Sequence, residues 1–324
     1  MRRRVLGASL PVGAVLDGIY GCGDIVLYDG QSKSKIVVNA GKLSNFASGR
    51  FTPIAVMVVP SSHDVYGTGE AAAMSLLNMS YRDPDKGTTS NQTIDWGNYQ
   101  VSIPSLPDMN YTSVVDNSTG LLLTTYSSET YFPSDEFTGA QCISDPTAYY
   151  YSTVGNSALS PSPYLSNGAR NPIYYSTEVS AKNALADFSG KGNTELLCSL
   201  ATAQSDWKTY GTQVLNNSGE GYLPAACCCW RFRPDGTQPG DWYMPAFGEL
   251  GYMVVRRKSI NESIQAVINT FGSSYAKLII GDYYSSSTSR DTSYSRVIDA
   301  ANGHTPLYAP KNTGYPVRAY IRIG

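Results

Sequence analysis

Two histidines, six cysteines and a scatter of aspartates are the residues of this 324-residue chain whose types could support acid–base, nucleophilic or metal chemistry. Their spacing argues against all three. His63 follows Pro60-Ser61-Ser62 and His304 follows Asn302-Gly303, so both read as exposed histidines in turns. No Gly-x-Ser-x-Gly elbow, HExxH helix, phosphate-binding Walker loop or GxGxxG after a strand occurs. Cys22, Cys142, Cys198 and the run Cys227-Cys228-Cys229 lack the short two-by-two spacing of a zinc site. They read mostly as small buried thiols, with a single disulfide from the run to Cys142 or Cys198 left open. Asp282, Asp291 and Asp299 could supply an acid and a base, but isolated aspartates in turns usually serve as solvated or capping groups. Calcium has abundant oxygens to choose from, yet no fixed ligand spacing stands out. The expectation is therefore a protein without catalysis, metal or cofactor.

Recognition is the chemistry that remains. The segment from Asp282 to Ser295 is written almost wholly in Tyr, Ser, Thr, Arg and Asp. Tyr gives rigid amphipathic area at low entropic cost and small hydroxyl residues fill in hydrogen bonds, which is the alphabet of an adaptable binding surface. Composition points the same way. Charged residues are 15% of the chain against roughly 25% in an average globular protein, and 25 tyrosines are present. With 24 basic and 26 acidic residues the net charge is -2, which excludes a polybasic nucleic-acid arm or a basic membrane-binding face. The longest apolar run, Ile54 to Val59, is far short of a membrane span. Arg2-Arg3-Arg4 followed by Val5 to Leu16 imitates a secretory leader, but Pro11 and Gly13 interrupt it and Asp17 follows, so a cleaved leader is not expected. The Asn-x-Ser/Thr triplets at Asn78, Asn91, Asn110, Asn117, Asn216 and Asn261 are what a chain this rich in Asn, Ser and Thr generates by composition.

The elements that would position such a surface fall into two halves. Residues 1 to about 135 read as all β, with strands at Gly23 to Gly30, Pro53 to Pro60, Val101 to Ile103 and Gly120 to Thr125, and an exposed loop from Arg82 to Asn91. The second half brings helices. From Asn183, Ala184, Leu185 and Phe188 and then Leu196, Leu197 and Leu200 recur at helical spacing, with Asn193-Thr194 in the place of a cap, so two short helices are expected. Phe247, Leu250, Met253 and Val254 form one face of a helix opened by Pro245. Another helix is expected from Ser259, with Glu262 completing a capping box and Ile264, Val267, Ile268 and Phe271 on one face. Strands return at Lys277 to Ile280, Tyr294 to Ile298 and Tyr315 to Ile323, the last alternating cleanly. The predicted class is α+β: a β-rich attachment domain, 1–135, then a second domain, 136–324, in which two short helices pack on an antiparallel sheet.

Four strings carry a resemblance. Gly240 to Met253, GDWYMPAFGELGYM, resembles the WYLPS-x-GEL signature of C-type-lectin-fold proteins of Bacteroides and their phages. Tyr222 to Trp230 is similar to the stretch that precedes it, Asp282 to Ser287 to the family's YWSS segment, and Tyr315 to Tyr320 to its closing VRPVRAF strand. Within that group the chain resembles the variable proteins of diversity-generating retroelements. The resemblance implies a C-type-lectin-like domain with a rewritten ligand-binding face at Tyr283, Tyr284, Ser289, Arg290, Asp291, Tyr294, Ser295, His304 and Tyr308. It also implies structural roles for Trp242, Pro245, Glu249, Leu250 and Arg318 beneath that face. Tyr284 stands where the family has Trp, and the Glu-Pro-Asn and Trp-Asn-Asp sugar motifs are absent, so calcium-dependent sugar binding is not implied.

Gly23 to Gly30 and Pro53 to Pro60, followed by Ala73 to Leu76, are similar to a pattern of gut-phage virion proteins. The implied function is non-catalytic receptor binding by a phage virion or tail component, with a bacterial cell-surface adhesin of the same fold as the alternative and an enzyme on this scaffold as a third reading. Implied partners are a host cell-surface protein or glycan and, through the N-terminal domain, other virion proteins. A homotrimer would add avidity to weak single sites.

Overall fold

A computed structural model describes residues 20–47, 49–63, 65–80, 86–97, 187–202, 223–279, 283–289, 292–300 and 304–324. The expected strands at 101–103 and 120–125 lie outside these. The first four strands, Ile25–Asp29 (β1), Ser34–Val38 (β2), Phe51–Val59 (β3) and Ala71–Ser75 (β4), pair antiparallel in the order β2-β1-β3-β4. The β1–β2 hairpin turns on Asp29, whose carboxylate accepts from the Gln31 N–H and the Ser32 hydroxyl. Arg50 closes the same carboxylate through Nε at 2.7 Å and Nη2.

Tyr320–Ile323 (β9) then pairs with β4 on one side and with the two-residue strand Trp242–Tyr243 (β5) on the other, completing a six-stranded antiparallel sheet. The expected division near residue 135 is corrected by this pairing: strands from both sides of it share one sheet. The reason is physical. β3 and β4 are buried at every residue but Thr52, which leaves no solvent face on which an independent N-terminal sheet could stand.

Helices cover both faces of the sheet. On one lie Phe247–Val255 (α3) and Arg257–Phe271 (α4), whose Phe247, Leu250, Ile260, Ile264 and Val267 pack on Ile25, Leu27, Val56, Val58 and Met74. On the other lie Gly190–Thr202 (α1) and Pro224–Arg231 (α2), whose Leu197, Cys198 and Cys227 to Cys229 pack on Val26, Ala55, Met57, Ala73 and Ile321. Successive strand residues thus serve opposite cores, the period of two expected of a strand. Each fully buried Val, Leu or Ile is worth about 1.5–3 kcal/mol, so the doubly covered strands carry much of the stability.

The helix limits depart from expectation in three places. α1 opens at Gly190, so Asn193 and Thr194 lie inside it, and Thr194 Oγ1 donates back to the Gly190 carbonyl at 2.8 Å. α4 is already helical at Arg257, because only Arg256 separates it from α3; Ser259 is therefore an interior residue whose carbonyl accepts from Ser263 Oγ. The reach-back expected of Glu262 is made in α3 instead, where the Glu249 carboxylate accepts from the Ala246 N–H at 2.7 Å.

A second sheet, order β6-β7-β8, comprises Tyr283–Ser289 (β6), Tyr294–Asp299 (β7) and His304–Pro310 (β8). The expected strand at Lys277 to Ile280 is not formed across its described residues: the Lys277 N–H donates to the Leu76 carbonyl and the Ile279 N–H to Asn261 Oδ1. The strand expected from Tyr315 begins only at Tyr320, and Tyr315 makes an isolated bridge to Ile94. Arg318 and Tyr320 are both fully buried.

Candidate ligand-binding face

β6 is the strand on which the binding expectation centres, and its burial is uneven. Tyr283, at its start, is 41% exposed and meets Tyr315 edge to face at 5.9 Å. Tyr284 turns into the core beside α3, and every residue from Ser285 to Ser289 is buried. The hydroxyls of Ser286, Ser287 and Thr288 are internal connectors. Ser286 Oγ donates to the Arg296 carbonyl at 2.8 Å, and the Ser286 carbonyl accepts from Trp96 Nε1 at 2.8 Å. Thr288 Oγ1 donates to Asp187 at 2.7 Å and accepts from the Phe247 N–H at 2.8 Å. Asn193 Nδ2 bridges Ser287 Oγ and Asp187 Oδ2 at 3.2 and 3.1 Å.

Tyr284, Ser289 and Ser295 are therefore corrected as members of an exposed face: each is 1% exposed or less. The cause is the cover laid over β6 by residues 187–193, by the start of α3 and by Trp96, with side chains short enough to fit and polar enough to be bonded there. Tyr294 is half-buried. His304 and Tyr308 occupy β8 opposite Asp299 and Arg296 in register. Arg290 and Asp291, like Asp282, lie outside the described residues. What the structure brings together at the surface is the pair Tyr283 and Tyr315, the latter not anticipated.

Beneath this face the signature residues are buried: Trp242, Glu249, Leu250 and Arg318 at 0%, with Pro245 also inside. Trp242 packs edge to face on Phe232 at 4.9 Å. Glu249 Oε1 accepts from Tyr66 and Tyr243 hydroxyls at 2.9 Å each and faces Arg322 Nη2 at 3.3 Å. Burial pushes its carboxyl up to about 7, against the opposing pull of Arg322 and the Ala246 N–H. Gly190 is required here, because a Cβ would stand 2.2 Å from Glu249 Oε2 and 2.6 Å from the Ala246 nitrogen. Burial likewise raises Asp187, although Thr288, Ser189 and Asn193 all donate to it.

Arg318 holds the closing segment by donating to Asn78 Oδ1 at 2.6 Å, to the Ser75 carbonyl at 2.9 Å and to the Lys277 carbonyl at 2.6 Å. Two of the sequon asparagines are thus structural: Asn78 is fully buried, and Asn261 both donates to and accepts from the Ile279 backbone. Sequence reading missed Tyr66, Asn78, Asp187, Asn193 and Arg322. Only Arg322 carried a signal, a cation between Ile321 and Ile323 in a chain poor in charge.

His63 ends a short 3-10 turn, Ser61–His63. Cys227, Cys228 and Cys229 are fully buried free thiols, and Cys198 Sγ lies 3.9 Å from Cys227 Sγ. Among the described residues no cluster of three His, Cys, Asp or Glu is placed to hold a metal ion, and no helix is long and apolar enough to cross a membrane.

No family model matches the chain. No curated protein matches it either. Among solved structures it aligns with a crystal structure of a fimbrial protein from Bacteroides ovatus ATCC 8483, at a TM-score of 0.44 and 13% identity. That alignment takes in 94% of this chain and 49% of the other, so the chain spans about half the length of that protein.

Proposed function

We propose that the chain is a non-catalytic receptor-binding protein, a virion or tail component that presents a tyrosine-based face on a C-type-lectin-like platform. The observation that carries this reading is the Tyr283–Tyr315 pair: an exposed aromatic held edge to face at the mouth of β6, above a strand that is otherwise buried. Large amphipathic side chains left in solvent on a rigid base are suited to contact area with little ordering cost. Of the large hydrophobics among the described residues, only Tyr275 and Tyr283 are exposed. The partner in this reading is a host cell-surface protein or glycan.

The resemblance to retroelement variable proteins then makes a sharp demand on sequence variation. Substitutions between copies of this locus from one host population should gather at Tyr283 and Tyr294, at Arg290 and Asp291, and at His304 and Tyr308. They should spare Tyr284, Ser289 and Ser295, which are packed inside. Evenly scattered substitutions would remove the diversification reading. Detection of the protein by antibody in purified virions tests the placement, and its presence on intact bacterial cells instead would favour an adhesin.

A further inference from the structure

A cavity of about 540 Å³, lined by neither Tyr283 nor Tyr315, lies between the start of β3, the segment that follows β4, the turn after α2 and the end of α4. Its size lies within the range of about 300–1,000 Å³ typical of small-molecule sites. The floor is apolar: Ile54, Leu76 and Phe232 are each 3% exposed or less. The rim is polar and charged, with Lys86, Arg233 and Asp235 exposed around it. Tyr275, 42% exposed, completes the lining.

Each rim group is placed by structure. Lys86 leads into Gly87 and Thr88, and the Thr88 and Asn78 backbones exchange hydrogen bonds at 2.7 and 3.1 Å. Gly87 adopts a φ of 71°, and a Cβ there would strike the Asn78 carbonyl at 2.9 Å, so this loop is tied down. Arg233 and Asp235 flank a turn closed by the Thr237 N–H and hydroxyl on the Pro234 carbonyl, and Asp235 accepts from Thr52 Oγ1 at 3.1 Å. Tyr275 is fixed by its N–H on the Gly272 carbonyl and by the Phe271 ring at 6.2 Å.

We propose that this groove binds a saccharide bearing a carboxylate. An exposed tyrosine offers the amphipathic ring on which the C–H face of a pyranose can lie. Lys86 and Arg233, both exposed, bring positive charge to the rim for a carboxylate. Asp235 and the Thr52 hydroxyl offer partners for ring hydroxyls. An extended peptide fits less well, because β3 is paired on both sides and presents no open strand edge for it to join. The site shares no residue with the Tyr283–Tyr315 pair.

The test is titration of the full chain with trigalacturonate and with sialyllactose, followed by saturation-transfer NMR and calorimetry at low salt. Maltotriose and tetraglutamate serve as neutral-sugar and acidic-peptide controls. At least one of the two acidic saccharides should bind at millimolar concentration or better. Arg233→Ala and Tyr275→Ala should each weaken it about tenfold, a loss of about 1.4 kcal/mol. Lys258→Ala, at an exposed position near the start of α4, should leave the affinity unchanged, and circular dichroism should show all three variants folded. Absence of binding by both acidic saccharides overturns the proposal, as does binding indifferent to Arg233→Ala and Tyr275→Ala. Equal binding of tetraglutamate or maltotriose overturns the saccharide or the carboxylate part respectively.

Discussion

Replacing Glu249 with glutamine should abolish a specific dependence of stability on pH. In the folded chain burial lifts this carboxyl from 4.5 to about 7. At about 1.4 kcal/mol per pH unit, that rise corresponds to about 3 kcal/mol. The sign follows from proton counting. Between the two values the folded protein holds a proton that the unfolded chain has released, so stability is greatest below about pH 4.5 and falls as pH rises toward 7. The pull of Arg322 at 3.3 Å works against this loss but does not cancel it. Asp29, held low by Arg50, acts in the opposite sense: its contribution is present above its unfolded value and is lost as pH falls below about 4, outside the same window.

The amide introduced by Glu249→Gln keeps the shape and cannot ionise. It cannot accept on both sides, so one of the bonds now made by Ala246, Tyr66 or Tyr243 is lost at about 1–3 kcal/mol. Urea unfolding followed by tryptophan emission from about pH 5 to 8 reads both effects, and the difference between wild type and Glu249→Gln should shift by about 2–3 kcal/mol in favour of the variant as pH rises. Parallel stability curves, or a wild type that gains on the variant with pH, would refute the reasoning and show that the Arg322 attraction governs the site.

Three other outcomes are expected. Trp242→Ala should cost about 3–5 kcal/mol by leaving a void against Phe232, whereas Tyr283→Ala should cost no more than about 1 kcal/mol; equal losses in thermal melts would contradict the separation of platform from face. Gly190→Ala should be among the most damaging single-methyl additions, since its Cβ meets both Glu249 and backbone; a folded variant with an unchanged melting temperature would show that α1 can shift freely. Cys227, Cys228 and Cys229, buried and with thiols pushed up, Cys227 by its contact with Cys198 and then by burial, the other two by burial, should resist iodoacetamide in the native protein and react on unfolding, while half-buried Cys22 reacts first. Mass spectrometry of labelled peptides reads that order directly.

The elements most legible in the sequence were those whose signals are local. Phe247, Leu250, Met253 and Val254 announce α3 by spacing alone, and the apolar run after Pro53 announces β3. The start of α4 was obscured because a helix that follows another after one residue needs no cap, which left Ser259 and Glu262 as misleading signals. The candidate face was half legible. A serine exposed in a loop and a serine bonded inside a sheet are identical letters, and the partners that decide between them, Asp187 for Thr288 and Trp96 for Ser286, stand 101 and 190 residues away. Tyr283 and Tyr284 illustrate the same ambiguity over one position, one ring in solvent and the next in the core.

The insertion of β9 between β4 and β5 has a kinetic side. Ser75, whose hydroxyl accepts from the Ala319 N–H, leaves the ribosome 244 residues before its partner. At elongation rates of about 5–20 residues per second the β4 edge would wait roughly ten to fifty seconds for its neighbour. During that interval a row of small apolar residues, Ala71 to Met74, offers unsatisfied backbone to any passing strand. A nascent chain of this design calls for shelter during synthesis, and slowed translation ahead of residue 320 should raise the insoluble fraction.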